Sequence, residues 1–202
     1  MRLRPVGDAG WLIECRDGNE VEAWRADLWR RREADEFTAD EIVPGARTVL
    51  IDGVPKGFDE LLHSWPEPVP PAQSAPRKAI EIPVTFDGED LPDVAAHWGV
   101  TVDEAIGRLI DTPLHVAFSG FAPGFAYMRG LPEEWAVPRL AAPRPRVPAG
   151  AVALADAFAG IYPSASPGGW RLVGSCGLPL FDVRATPPAL LSPGTDVRLV
   201  RA

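Results

Sequence analysis

The sequence predicts an α+β protein in two parts: a small α/β sandwich over residues 1–65 and, after a proline-rich linker at 66–78, a β-barrel over 79–202. Three observations lead there. First, Trp65-Pro66-Glu67-Pro68-Val69-Pro70-Pro71-Ala72-Gln73-Ser74-Ala75-Pro76 places five prolines in one short run, which forbids a helix and favours an extended spacer. Second, strand-like and helix-like apolar patterns alternate before that run. Third, from His115 onward short apolar stretches are cut repeatedly by glycine and proline, the pattern of short strands and tight turns.

In the first part, Trp11–Cys15 reads as a buried strand. A helix is expected from Glu20 to about Arg32, with Val21, Trp24 and Leu28 on one face. Thr48–Ile51 is a second strand, closed by the Asp52-Gly53 turn. Phe58, Leu61, Leu62 and Trp65 then fall at i, i+3, i+4 and i+7, the spacing of an amphipathic helix.

The second part opens with a strand at Ala79–Val84. A short helix carrying Leu91, Val94, Ala95 and Trp98 follows, with Asp90 as its expected cap. Thr101 and Glu104 have the spacing of a capping box for a helix that ends by Thr112-Pro113. His115–Ser119, Ala151–Ala155, Trp170–Val173, Leu180–Val183 and Val197–Val200 are the expected barrel strands.

Charge and composition narrow the function. Lys and Arg number 20 against 28 Asp and Glu, a net of −8, which argues against nucleic acid and anionic membrane as partners. The charge is uneven, however: residues 112–202 hold 8 basic side chains, all arginine, against 5 acidic ones. A cationic end on an acidic protein points to a small anion. The only cysteines, Cys15 and Cys176, are far apart, which suits a reducing cytoplasm better than a disulfide framework. With no apolar run behind the first charges and none long enough to span a bilayer, a soluble cytoplasmic protein is expected.

Familiar catalytic signatures are absent. There is no phosphate-binding P-loop, no Gly-x-Ser-x-Gly, no His-Glu-x-x-His and no Gly-x-Gly. His63, His97 and His115 are scattered, and no metal site is expected. Cys176 stands in a flexible Gly174-Ser175-Cys176-Gly177 setting, but a nucleophile needs an activating neighbour, and a buried cysteine is as readily a small apolar filler.

Three segments carry more. In Gly120-Phe121-Ala122-Pro123-Gly124-Phe125-Ala126-Tyr127, aromatics on a stiff loop suit a pocket wall or a partner anchor, or else fill the core. In Pro138–Gly150, Arg144 and Arg146 stand two apart in extended backbone and so share one face. Two guanidinium forks on one side suit a carboxylate or phosphate, unless the loop is merely solvated. In Gly160–Gly174, the Gly168-Gly169 turn lets backbone approach a ligand, with Tyr162 and Trp170 as polar-tipped aromatic surface. The substrate-binding candidates are therefore Arg144, Arg146, Phe121, Phe125, Tyr162, Gly168, Gly169 and Trp170.

Taken in order, GFAPGF at Gly120–Phe125, PR at Pro138–Arg139 and Pro143–Arg144, VPAG at Val147–Gly150, GIYP at Gly160–Pro163 and PGGW at Pro167–Trp170 resemble the allophanate hydrolase subunit 1 family. That family includes one component of bacterial 5-oxoprolinase and a sporulation-kinase inhibitor. Gly7-Asp8-Ala9 and Val43-Pro44-Gly45 resemble its N-terminal domain. Departures are Phe158-Ala159 where the family usually has Gln-Thr, Phe86 in place of a tyrosine, and Ser119 in place of a leucine.

The resemblance implies a cyclophilin-like barrel and work inside a heteromeric complex. It implies partnership with the homologous C subunit and the A subunit of 5-oxoprolinase, which together use ATP to open 5-oxo-L-proline to L-glutamate. Lacking a nucleotide motif, this chain is expected to share ATP with its partners. Two alternatives follow from the same resemblance: a regulatory protein that inhibits a sensor histidine kinase, and one component of another amide or allophanate hydrolase. Prolyl isomerisation rests on fold analogy alone.

Overall fold

The computed structural model describes residues 2–68 and 79–202. The chain divides into two compact units, 1–76 and 77–202. Residues 69–78 of the expected linker lie outside the described residues.

The first unit is a four-stranded antiparallel sheet in the order β1-β2-β4-β3 with two helices. Its elements are β1 (Arg2–Val6), β2 (Gly10–Glu14), α1 (Gly18–Glu33), β3 (Glu41–Pro44), β4 (Thr48–Asp52) and α2 (Phe58–Ser64). Helix α1 starts earlier than the apolar pattern indicates because Asp17 caps it, accepting from the Asn19 and Glu20 amides at 2.9 Å. Ile13, Val49 and Ile51 from one sheet face meet Val21, Trp24, Leu28, Phe58 and Leu62 from the helices in one buried core.

The apolar pattern does not betray either edge strand. β1 carries arginines where a buried strand carries apolar residues, and Arg2 and Arg4 both pair with Glu14 on the neighbouring strand. Pro5 and Pro44 stand on these edges, where a missing amide breaks no interior ladder. The stripe assigned to α2 also needs correction. Phe58 and Leu62 are buried, whereas Leu61 is exposed, and Trp65 lies just past the helix end against Phe37 and Phe58.

The second unit contains β5 (Ile80–Val84), α3 (Leu91–His97), α4 (Val102–Asp111), β6 (Leu114–Ser119), β7 (Ala126–Arg129), β8 (Arg144–Val147), β9 (Ala151–Ala155), β10 (Phe158–Ile161), β11 (Ser166–Gly168), β12 (Arg171–Ser175) and β13 (Asp196–Arg201). Seven strands form one sheet in the order β12-β9-β10-β7-β6-β13-β5. Thr85, just past β5, pairs with Ser175 at the end of β12 through two backbone hydrogen bonds of 2.9 and 2.8 Å. That bridge joins the sheet's two edge strands and makes a barrel. Strands β8 and β11 form a separate two-stranded ribbon.

The capping box at Thr101 and Glu104 forms as the sequence indicates. Leu91, Val94, Ala95, Ala105, Ile106 and Leu109 from α3 and α4 join Ile82, Val84, Val116, Met128, Leu154, Val173 and Leu199 in the main core. Leu180–Val183 is not a strand. Leu180 is a buried anchor, Val183 is 79% exposed, and only Phe181 makes a bridge, to Ala189. Pro179, Pro187 and Pro188 remove the amides a ladder would need.

Strand β9 sets the stage for the site. All five of its residues are buried, so both of its faces are covered. Val152 and Leu154 point into the main core; Ala151, Ala153 and Ala155 point the other way, into a second cluster containing Phe125, Tyr162 and Trp170. Three alanines at alternate positions leave room for three large rings.

Candidate functional site

The three segments singled out in the sequence converge here. Arg144 on β8 lies opposite Gly168 on β11, so the arginine segment and the Pro-Gly-Gly turn are direct strand partners. The Leu140 amide donates to the Gly169 carbonyl at 2.8 Å, adding a second tie between them. Phe125 of the first segment packs edge-on against Tyr162 and Trp170 of the third, with centroids 5.2 and 5.4 Å apart.

Glycine is required at the closest contacts. A Cβ on Gly160 would stand 2.9 Å from both the Phe125 and Trp170 rings, and one on Gly168 would stand 2.2 Å from the Tyr162 hydroxyl oxygen. Gly160 and Gly168 are thus spaces for neighbouring rings rather than backbone offered to a ligand, whereas Gly169 has only ordinary contacts, to Leu140 and Pro143.

The expected aromatic residues divide by burial. Phe125, Tyr162 and Trp170 are 1%, 2% and 5% exposed and belong to the core, whereas Phe121 is 61% exposed. Phe121 has a φ of +66°, a conformation that is strained for a residue with a side chain. It packs edge-on against Phe125 and Tyr162 and presents its remaining surface outward. Burial pushes the Tyr162 phenol up in pKa, against a Trp170 backbone hydrogen bond and the charges of Arg139 and Arg144. Tyr162 is therefore a neutral, positioned hydroxyl at neutral pH.

The two arginines also differ. Arg144 is already engaged: its Nη2 donates to both oxygens of Asp90 at 2.8 and 2.9 Å, and its Nε pairs with Glu89 at 2.6 Å. Burial works against its charge, but Asp90 and Glu89 outweigh that effect and hold it more firmly protonated than usual. Arg146, two residues along the same strand, is exposed and has no ion pair among the described residues. The pair thus consists of one clamped guanidinium and one open one.

Asp90 plays a part other than the cap its position suggests. It stands at the N-cap of α3, but its side chain makes no capping bond. Its carboxylate accepts from Arg144 and from the Leu172 amide at 2.6 Å, and its own amide donates to the Leu172 carbonyl at 3.0 Å. The turn before it fits tightly, since a Cβ on Gly88 would meet the Leu172 carbonyl oxygen at 2.3 Å. Asp90 therefore ties the α3 turn, β8 and β12 together. An acid ahead of a helix reads as a cap in one dimension; a partner 54 residues away leaves no local signal.

Both thiols are half-buried. Burial raises Cys176, and burial followed by the charges of Glu20 and Asp17 pushes Cys15 up to about 12. Neither has the lowered pKa of an activated nucleophile. No group of three or more metal-ligating side chains occurs among the described residues. A cavity of about 610 Å³ lies elsewhere in the second unit, against α4 and Trp135, and none of the substrate-binding candidates lines it. The convergence of three separate segments, more than that hollow, marks the candidate site.

Comparison with known proteins identifies the family. The family described as "Carboxyltransferase domain, subdomain C and D" matches residues 1–191. The chain is 37% identical to the B subunit of 5-oxoprolinase from Escherichia coli O157:H7 over 183 residues, covering 86% of this chain and 84% of that one. The crystal structure of TTHA0988 superposes with a TM-score of 0.79 at 30% identity, covering all of this chain (100%) and 41% of that one, so the chain spans under half of that longer protein. Kluyveromyces lactis urea carboxylase, at 18% identity and a TM-score of 0.66, covers 99% of this chain with 21% of its own length and shares the fold. With a family match along nearly its whole length and a relative of its own size, the chain belongs to the carboxyltransferase subdomain C and D family, which includes the 5-oxoprolinase B subunits.

Proposed function

We propose that this chain is the B subunit of an ATP-dependent 5-oxoprolinase, which opens 5-oxo-L-proline to L-glutamate together with the homologous C subunit and the A subunit. The observation that carries this is the near full-length likeness to a protein of that name. The site supports it chemically. The substrate is a small lactam bearing a carboxylate, and the site offers an open arginine, Arg146, on the strand that pairs with β11, and an exposed ring, Phe121, resting on Phe125 and Tyr162. Arg146 takes the carboxylate, while Phe121, held against buried Tyr162, shapes the apolar side.

Among the described residues, neither of the two longer helices, α1 and α4, offers a nucleotide's phosphates a site at its start. The α1 amides of Asn19 and Glu20 are taken by Asp17, the α4 amide of Glu104 by Thr101, and both first turns are acidic. A triphosphate needs free amides and positive charge. We assign ATP to sites completed by the partner proteins. This chain binds and orients the lactam and excludes water around it.

The test is phosphate release from ATP with and without 5-oxo-L-proline, using this chain alone and mixed with the A and C subunits. Release that depends on 5-oxoproline and occurs only in the full mixture is the expected result. An assembled mixture with no such release overturns the reading.

One observation favours the regulatory alternative. Phe121, Phe181 and Val183 are exposed, and the loops that carry the first two touch, since a Cβ on Gly124 would stand 2.7 Å from the Phe181 Cβ. Such a patch suits a protein partner such as a sensor kinase. Phe121→Gly separates site from fold. Glycine accepts the positive φ without strain, so stability stays within about 1 kcal/mol. 5-Oxoproline turnover falls roughly tenfold, the loss of one aromatic contact of ~1.4 kcal/mol. Thermal unfolding and turnover check the two halves; unchanged turnover with lost kinase inhibition selects the regulatory reading.

A further inference from the structure

Arg144 carries two carboxylates of unlike character on neighbouring residues. Asp90 is fixed: its side chain is 7% exposed, and it accepts from the Leu172 amide as well as from Arg144. Glu89 is not fixed in this way. Its side chain is 63% exposed, and its contact here is with the Arg144 Nε at 2.6 Å. A carboxylate so placed exchanges with solvent and with other anions at little cost, because an exposed ion pair contributes only ~0–1 kcal/mol.

Charge counting around Arg144 points the same way. Two carboxylates share one guanidinium, and the neighbouring cation, Arg171, lies 3.3 Å from Asp93 and 3.9 Å from Asp90, so three acids surround two arginines and Glu89 is the more weakly held of the two on Arg144. Arg146 stands two residues along the same strand without an ion pair among the described residues. An anion that takes the place of Glu89 gains the Arg144 Nε–H and lies on the strand face that also carries Arg146. Asp90 meanwhile holds the guanidinium in place throughout.

We propose that Glu89 is a displaceable stand-in for a ligand oxyanion on Arg144. On binding, a small carboxylate or phosphate replaces the Glu89 carboxylate at the Arg144 Nε–H, while Asp90 keeps its bonds to Nη2. The inference rests on the reading of this face as an anionic-substrate site. It adds a specificity element to it, since a ligand must carry an oxyanion able to outcompete a tethered carboxylate.

The experiment follows arginine Nε–H signals of the full chain by nuclear magnetic resonance, with the Arg144 signal identified from Arg144→Lys. Wild type and Glu89→Gln are titrated with 5-oxo-L-proline and, separately, inorganic phosphate, with sodium chloride as the control for ionic strength. The Arg144 signal is expected to shift saturably, with half-saturation about three- to fivefold lower in Glu89→Gln, the factor an exposed ion pair is worth. The anion that acts at lower concentration identifies the source of the oxyanion. An Arg144 signal that responds to neither anion, or half-saturation unchanged by Glu89→Gln, overturns the proposal. The hydrolase reading fails separately: saturable exchange at Arg144 in a chain whose assembled mixture releases no 5-oxoproline-dependent phosphate leaves the oxyanion site standing and removes the reaction.

Discussion

Arg144→Ala is expected to destabilise the second unit by about 3 kcal/mol, the cost of removing one partner from a buried ion pair. The effect is this large because of what is left behind. Asp90 is 5% exposed; without Arg144 its charge keeps the Leu172 amide and the more distant Arg171, whose Nη1 lies 3.9 Å away. Asp90→Asn in the Arg144→Met background should recover most of the loss, because the buried charge is then gone and an apolar stem replaces the guanidinium. Urea unfolding with an unchanged slope measures both variants. If Arg144→Ala shifts the midpoint by less than about 0.5 kcal/mol, as a surface substitution would, the clamp is not structural. Arg146→Ala is the contrasting variant, an exposed residue whose loss should leave stability alone and weaken anion binding. Arg144→Ala fully active in the assembled complex would exclude Arg144 from the site.

The contrast between these arginines shows what the sequence can and cannot reveal. Their shared face follows from their spacing in an extended strand, and the structure does place both on β8. That one is clamped and the other open depends on Glu89 and Asp90, which arrive from a turn more than fifty residues earlier. Elements with local causes are legible: the Thr101–Glu104 capping box and the apolar runs of β4 and β9. Elements fixed from a distance are not. β1 has arginines at two of its five positions, β3 is only four residues long with Val43 exposed beside buried Ile42, and the Leu180–Val183 run is apolar because Leu180 anchors a loop. Convergence of three segments on one site becomes visible only once β9, with alanines on one face, stands between the two cores.

Phe125→Ala is the substitution with the largest expected cost, about 3–5 kcal/mol, the range for removing a fully buried aromatic side chain. Phe125 is the hub of the cluster, with ring contacts to Phe121, Tyr127, Tyr162 and Trp170 between 5.1 and 5.4 Å. The surrounding elements are poorly able to collapse into the space, since β9 is packed on its other face by the main core. The same geometry gives a stricter test than the single loss. Gly160→Ala alone pushes a methyl to 2.9 Å from the Phe125 and Trp170 rings and should cost about 1–3 kcal/mol by overpacking. In the Phe125→Ala background one of those rings is absent, so the added methyl enters the cavity, and the cost should fall toward zero or reverse sign. The double-mutant cycle therefore has a coupling energy of at least about 1 kcal/mol, read from denaturant midpoints. Strict additivity would mean that the ring and the glycine do not share space, and that the aromatic cluster is looser than its packing implies. Because Phe121 rests on Phe125, 5-oxoproline turnover in the assembled complex should fall with Phe125→Ala even below its melting temperature, which ties the buried hub to the exposed wall.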